Sequence, residues 1–581
     1  MVLGPRPRCT VHRKELLLSR DLPDCRGPPP SGRAVVAGFA LLGFLAQAGW
    51  SAGAPVAAPA AAVGQAIYLR GVLGSGAPLE GERQAGELRA KGAEAACVNC
   101  HQRSGLGANE GRSLVPPIAS RYLFHPRARG TDHSNLPYVE GMRANREPYT
   151  EATLARAIRE GIDVDGKTLG YLMPRFALED ADMAALIAYL KTLDAQRAPG
   201  VTESVLHFAT IITPDADPVK RRGMLAVMRQ YFADRNTRQM IPSPQMEAPG
   251  RSMYSKSMFM VNRRWELHVW ELTGAAATWQ AQLERHLAQE PVFAVISGLG
   301  GENWAPVHEF CEKSALPCLF PNVEVPIDAA DDFYSLYFSR GVLLEAELIA
   351  KKALATVAGA PVKAVHQIYR AGDSGEQAAA ALSAALKRHG IAVHDHVLPA
   401  GAPGKGLAEA LSGASNVQAL VLWLRPLDVA ALASPPPEPA AVYMSGLMGG
   451  MESSPLPSSW RARTLLAYPF DLPERRRVRV DYPLGWFTVR HIPIVAEQVQ
   501  VDTYLACGLV AETLSHMTDA FVRPYLIERL QRILDHRIMT GFYPHLTLAQ
   551  NQHFASKGGY LVHFEAPQGP KIVADGGWTV P

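Results

Sequence analysis

The sequence predicts a multidomain chain in which a small all-α domain precedes a larger α/β domain built as two lobes. Three observations carry this. A Cys-x-x-Cys-His run, Cys97-Val98-Asn99-Cys100-His101, sits between short amphipathic helical stretches. A polar Ala195-Gln196-Arg197-Ala198-Pro199-Gly200 segment without periodicity then reads as a linker. From Leu206 onward, β-branched and aromatic runs alternate with Ala/Leu-rich stretches, the pattern of parallel sheets covered by helices. At 581 residues the chain exceeds what one hydrophobic core organises.

The boundaries follow from composition. Residues 1–54 read as a leader: a basic stretch ends at Arg33, and Ala34 to Gly49 runs without charge through Phe39, Leu41, Leu42, Phe44 and Leu45. Ala52-Gly53-Ala54 fits the small-x-small pattern that a signal peptidase reads. The apolar run is shorter than the ~20 residues a membrane span needs, so a cleaved export signal is expected, with a retained anchor as the alternative. Residues 1–32 are long and Pro-rich for such a leader, which suggests a start codon further downstream. A joint over 55–62 leads to the all-α domain at 62–194, the linker at 195–202, the α/β domain at 203–575 and a tail at 576–581. No second hydrophobic span appears, and a periplasmic location is expected.

Charge excludes one class of partner. The leader holds seven Lys/Arg and three acids, leaving 51 basic against 52 acidic residues in the remainder. A nucleic-acid binder needs clustered positive charge on its folded part, so no nucleic acid is expected.

The Cys-x-x-Cys-His run is the most specific signal. Two thiols three apart can add to the two vinyl groups of one haem, and the adjacent His is placed to ligate the iron. A zinc site would want further Cys or His at matching spacing, and a redox dithiol would want a βαβ setting; neither surrounds Cys97. A second axial ligand must come from elsewhere. Met173 precedes Pro174 in a loop between a helix at Glu151–Glu160, capped by Thr150 and stopped by Gly161, and another from about Glu179 to Leu193. A thioether from that loop favours reduced iron and raises the potential. Met183 falls on a helical apolar face and reads as core filler, as does Met142.

Residues 62–194 thereby resemble a class I cytochrome c, through Gly64 and Tyr68, the Cys97–His101 run, Pro116-Pro117, Met173-Pro174 and Tyr189. The resemblance implies one covalent haem c held by Cys97 and Cys100, with His101 as proximal and Met173 as distal iron ligand. It also implies that the terminal helices cross at Gly64, and that Pro116 or Pro117 accepts the His101 Nδ1 proton. The long stretch from Leu123 to Glu147 reads as a surface insertion, its His125 and His133 as solvated loop residues.

In the larger half, strands are expected at Leu206–Thr213, Trp265–Leu272, Pro291–Gly298, Val362–Tyr369, Ala419–Leu424 and Ala441–Ser445. Helices are expected at Lys220–Asp234, Thr278–Gln289, Ser339–Ala358, Gly375–His389 and Tyr504–Ala520. With the segment from Tyr543-Pro544-His545 to Tyr560, this half resembles a type I periplasmic solute-binding protein of the branched-chain amino-acid receptor class. Ligands in such folds sit at the carboxyl ends of strands, which points to Ser297, Asn322, Tyr369, Asp373 and Trp423 near a cleft. The Gly298-Leu299-Gly300-Gly301 run lacks dinucleotide-binding spacing and reads as a turn. Cys311 and Cys318 can form a short-loop disulfide in an oxidising compartment, two buried thiols being the alternative. Cys507 reads as core.

The expected function is an exported mono-haem electron carrier whose receptor-like half recognises a small molecule or a redox partner protein, such as a periplasmic dehydrogenase. The alternative is a solute-binding or sensory protein with an accessory haem. One Cys-x-x-Cys-His run excludes a di-haem peroxidase, and no nucleophile–base or metal triad suggests an enzyme acting alone.

Overall fold

The computed structural model describes residues 60–83, 88–110, 113–125, 147–193, 197–239, 263–355, 362–414, 417–433, 435, 439–478, 483–517, 520–536 and 540–581. The expected leader, the joint up to Pro59, His133, Met142 and most of the 123–147 insertion lie outside these residues. No helix among the described residues is long and apolar enough to cross a membrane.

The first part is organised by two crossing helices, α1 (Ala60–Arg70) and α4 (Asp180–Thr192), with α2 (Val98–His101) and α3 (Glu151–Glu160) between them. The crossing is close because Gly64 has no side chain. A Cβ there would lie 2.0 Å from the Ala185 carbonyl oxygen. Tyr68 and Tyr189 meet at the same crossing, ring centroids 5.3 Å apart. Thr150 caps α3 through the Thr153 amide, and Gly161 ends it in the left-handed region.

This part is not purely helical. β1 (Glu80–Arg83) pairs antiparallel with β2 (Leu88–Lys91) and with β5 (Arg175–Phe176), while β3 (Ala108–Glu110) and β4 (Ser113–Val115) form a hairpin. These strands are short and charge-rich, with no apolar alternation to announce them. Their pairing satisfies the backbone of the loops that carry the site.

Lobe one is a five-stranded parallel sheet. It comprises β6 (Val205–Ile212), β7 (Arg264–Glu271), β8 (Ala294–Ile296), β9 (Cys318–Leu319) and β10 (Ser335–Leu336), in the order β10-β9-β8-β6-β7. Helices α5 (Pro218–Gln239), α6 (Trp279–Gln289) and α7 (Ala305–Lys313) belong to it. Near-continuous burial along β6 and β8 reflects a parallel sheet covered on both faces. Lobe two begins with α8 (Val342–Ala353). It continues through β11 (Ala364–Arg370), α9 (Ser374–Lys387), β12 (Ala392–Leu398), α10 (Leu407–Gly413), β13 (Val417–Trp423), β14 (Pro439–Ser445) and β15 (Thr464–Tyr468).

The chain then returns to lobe one as α11 (Glu497–Ser515), which packs on α5, and α12 (Arg523–His536). It ends in lobe two with the antiparallel strands β16 (Tyr560–Phe564) and β17 (Ile572–Ala574), completing the order β12-β11-β13-β14-β15-β16-β17. Two crossings lie side by side, since Tyr337 and Phe554 form a parallel bridge and the Ser556 amide donates to the Phe338 carbonyl.

Neither expected spacer hangs free. In the linker, Val201 is buried and bridges to Leu206, and Gly200 abuts Val292 and Phe293. In the tail, Thr579 pairs with Gly559 and Trp578 packs edge-on to Tyr560. Apolar docking overrides the loop-like composition of both segments. Cys311 on α7 and Cys318 on β9 correct another expectation. Both are free thiols, buried and hydrogen-bonded to each other, where a disulfide was expected. Their apolar cluster with Trp304 and Phe310 suits two small, neutral thiol groups.

Three buried carboxyls and one half-buried one set the pH response. Burial pushes Glu345 up to about 8 and Asp502 and Glu528 up to about 7. Glu324 goes the other way, to about 2, because Arg425 outweighs its burial. A raised carboxyl favours the fold below its unfolded value and loses that contribution as pH rises through its folded value. A lowered one is lost as pH falls. The melting temperature should therefore peak near about pH 5 and decline toward both pH 2 and pH 8. Glu528→Gln should flatten the alkaline decline in a calorimetric pH series; an unchanged slope would contradict the assignment.

Candidate functional site

The first candidate site is built on α2. Cys97 stands at its start and His101 in its last position, so the five-residue run closes one helical turn. His101 is buried, and its Nδ1 lies 3.1 Å from the Pro116 carbonyl oxygen. A carbonyl only accepts, so Nδ1 carries the proton and Nε2 is left with its lone pair. Burial pushes His101 down to about 4, which keeps the ring neutral at physiological pH. Pro117 does not take this role. The turn after α2 is tied down by Tyr68, whose hydroxyl donates to the Gln102 carbonyl at 2.6 Å.

Met173 belongs to the same apolar cluster as Cys97, Val98, Ile118, Val164 and Leu169. Its loop is held by Arg175, which donates to the Met173 carbonyl at 2.5 Å and to the Leu169 carbonyl at 3.4 Å. The guanidinium fits because Gly161 is bare: a Cβ would fall 1.8 Å from Arg175 Cζ. Beside Met173, Tyr171 and Leu172 are 67% and 44% exposed, two large apolar side chains at one loop tip. Haem fits this set. Two thiols share a turn, a neutral imidazole presents Nε2, a thioether shares their apolar cluster, and the loop offers further apolar cover.

The loop that follows His101 also touches the α/β half. The Ser104 amide and hydroxyl donate to the two oxygens of Glu528 on α12, at 2.8 and 2.5 Å. Arg103 lies over the Phe333 ring, 4.3 Å from its centroid. Leu106 and Ala119 join the same buried cluster as Leu206, Phe293 and Leu530.

The second candidate site is an open cleft of about 1230 Å³ lined by residues of both lobes. Of the five residues expected there, Asn322 lines it. Ser297 lies behind, accepting from Asn322 Nδ2 at 3.0 Å and sharing a hydrogen bond with Thr503. Asp373 caps α9 and binds Arg425, itself a lining residue, so it acts through that neighbour. Tyr369 and Trp423 are corrections: they pair at the ends of β11 and β13, and both are buried in lobe two. Trp423 Nε1 donates inward to Gln367 Oε1 at 3.1 Å.

The missed residues are mainly charged. Arg425 donates to both oxygens of Glu324 at 2.7 Å, bridging segments from the two lobes. Arg476 pairs with Glu452 and lies 4.1 Å from the Phe542 ring centroid. Asp502 on α11 accepts from Tyr543 at 3.0 Å and Gln498 at 2.5 Å, both on Oδ2. Its Oδ1 is buried without a hydrogen-bond partner among the described residues, although the residue lines the cleft. The signal for Asp502 was present in the sequence as an acid set among Val499, Val501 and Leu505.

Parts of the chain are similar to known proteins. Residues 90–194 match the family model described as cytochrome c. No curated protein matches the chain. Among solved structures, a fatty acid ABC transporter substrate-binding protein from Thermomonospora curvata is 14% identical, covering 66% of this chain and 95% of its own, with a TM-score of 0.46. A leucine-binding protein from Thermotoga maritima is 10% identical over 64% of this chain and 98% of its own, TM-score 0.45. A branched-chain amino acid ABC transporter protein from Thermus thermophilus with bound valine is 12% identical over 66% and 97%, TM-score 0.46. Residues 90–194, which hold the His101–Pro116 contact, thus match the cytochrome c family, a family that implies covalently bound haem.

Proposed function

We propose that the chain is an exported c-type cytochrome that transfers single electrons through one haem and uses its α/β half to recognise a small molecule or a redox partner. The observation that carries this reading is the contact from His101 Nδ1 to Pro116, which fixes the tautomer and leaves Nε2 as the lone-pair donor. In this reading Cys97 and Cys100 anchor the group by thioethers, His101 is the proximal ligand and Met173 the distal one. Haem bound there supplies a one-electron couple. The protein's part is to hold both axial positions filled, exclude water with the cluster around Ile67, Tyr68 and Leu186, and keep His101 neutral. A haem held by both His101 and Met173 would serve as an electron carrier, and no catalytic residue is assigned.

The orphaned Asp502 Oδ1 supports recognition of a small molecule that brings a hydrogen-bond donor. Phe470, Phe542, Val499 and Met451 offer it apolar surface, while the cations Arg425 and Arg476 are already neutralised by Glu324 and Glu452. A solute-binding or sensory role with an accessory haem is the second reading, and this cleft favours it. The two readings differ in whether ligand binding shifts the haem potential.

Protein matured with haem-ligation machinery should show reduced low-spin bands and a thioether-to-iron charge-transfer band. Met173→Ala should remove that band and lower the potential; a band that persists would refute the distal assignment. In a thermal-shift screen of amino acids, alcohols and small carboxylates, Asp502→Asn should weaken the best ligand about tenfold while preserving the fold, since Tyr543 keeps an acceptor. Equal affinity in the variant would exclude Asp502 as a ligand contact.

A further inference from the structure

We propose that His207, Glu266 and His268 form a binding site for a divalent transition-metal ion, zinc(II) above all, at the end of lobe one opposite the cleft. The placement comes from strand register. His207 on β6 faces Glu266 on β7, and His268 follows two residues later, so all three side chains leave the same face of the sheet. Further along that face Trp270 is fully buried beside Trp279 and Leu283 of α6. His207 and Glu266 sit near the amino ends of β6 and β7 and His268 near the middle of β7, and Glu266 is 44% exposed.

The donor atoms converge. His207 Nδ1 and His268 Nε2 are 3.0 Å apart, and each lies within 4.8 Å of a Glu266 carboxylate oxygen. Zinc–nitrogen bonds of about 2.0–2.1 Å in tetrahedral geometry set two ligand nitrogens ~3.3 Å apart, so the rings need part only slightly. The opposed nitrogen of His268 is also provided for. Its Nδ1 lies 3.3 Å from Glu290 Oε1, and the other Glu290 oxygen accepts from Trp270 Nε1 at 3.0 Å. A carboxylate on Nδ1 places the proton there and turns the Nε2 lone pair toward His207. This carboxylate–imidazole relay is the arrangement that orients a metal-ligating histidine.

Without an ion, His207 Nδ1–H donates to His268 Nε2. On binding, the His207 proton moves to its Nε2 and the freed Nδ1 lone pair joins the coordination, so neutral histidines lose no proton. Two imidazoles and one carboxylate leave a fourth position for water, a set suited to zinc or copper(II) rather than calcium or magnesium. Arg264 approaches Glu266 only loosely, at 3.6 Å through Oε2, leaving Oε1 for the ion. The site adjoins the segment entering lobe one from the cytochrome domain, since the His207 amide donates to the Gly200 carbonyl. A bound ion would clamp β6 to β7 beside that entry.

Lobe two contains an internal control. His366 Nδ1 and His396 Nε2 are 2.9 Å apart on β11 and β12, and His394 stands opposite His366 in register. That trio lacks both the carboxylate ligand and a Glu290 equivalent among its hydrogen bonds, and its three donor atoms do not converge as those of lobe one do.

Isothermal titration of zinc chloride into the full-length, haem-loaded, chelator-stripped protein tests the proposal. One ion should bind. His207→Ala and His268→Ala should each weaken it about a hundredfold, Glu290→Gln about tenfold or more, and His366→Ala not at all. The visible spectrum and the zinc-free melting temperature establish that each variant is folded, and Glu290→Gln serves where a histidine variant is not. Absence of binding in the wild type, binding indifferent to both His207 and His268, or loss on His366→Ala would each overturn it.

Discussion

The buried carboxylate of Glu528 is the constraint around which the two halves of this protein are arranged. It receives both the amide and the hydroxyl of Ser104, three residues beyond His101, in a buried setting where little water shares the charge. Removing one such partner leaves a buried acceptor unsatisfied, at a cost of about 1–3 kcal/mol. The loop carrying Ser104 also carries Pro116, whose carbonyl fixes the His101 ring. The orientation of the axial histidine and the seating of the cytochrome domain on the α/β half thus depend on one stretch of backbone, residues 102–119. The hydrogen bonds from the Ile118 and Ala119 amides to the Gly105 carbonyl close that stretch on itself.

The sequence was most legible where chemistry is local. Cys97, Cys100 and His101 are adjacent, so their spacing is set by one helical turn whatever the tertiary context. Thr150 was readable for the same reason, its cap being made by Thr153 three residues on; Gly64 was read only through the resemblance, because the Ala185 carbonyl it must clear lies far along the chain. Met173 was less direct: its loop is positioned by Arg175 passing over Gly161, a long-range packing that no local pattern announces. The small sheet of β1, β2 and β5 went unseen because Glu80, Glu82, Arg83 and Lys91 give no apolar alternation. The expectation of a purely helical domain failed on that point.

The cleft was harder still. The rule that ligands meet the carboxyl ends of strands located Asn322, but it cannot tell which face a terminal residue takes. Tyr369 and Trp423 end neighbouring parallel strands and turn into the core of lobe two, where Gln367 satisfies the indole. The charged lining comes from segments far apart in sequence, Glu324 from the loop between β9 and β10 of lobe one and Arg425 from after β13, and only the fold brings them together. Asp502 lies on the first turns of α11, ahead of the helix expected from Tyr504 to Ala520. Its polarity became meaningful only once one of its oxygens was found unpartnered.

The return of the chain to lobe one explains why these sites share a frame. Helices α11 and α12 are consecutive and pack against each other. The first presents Asp502 to the cleft and the second presents Glu528 to Ser104. Burial pushes both carboxyls up to about 7, outweighing Arg476 near Asp502 and Arg532 and Arg103 near Glu528. A packed pair of helices moves as a body rather than deforming continuously, since close-packed interiors resist small local adjustments. Asp502 and Glu528 thus stand on one packed pair of helices, the second of which anchors the loop behind His101. The return segment completes lobe one with α11, which packs on α5. Here its second helix is also the seat of the cytochrome domain, and that double use makes the fusion a structural unit rather than two modules on a tether.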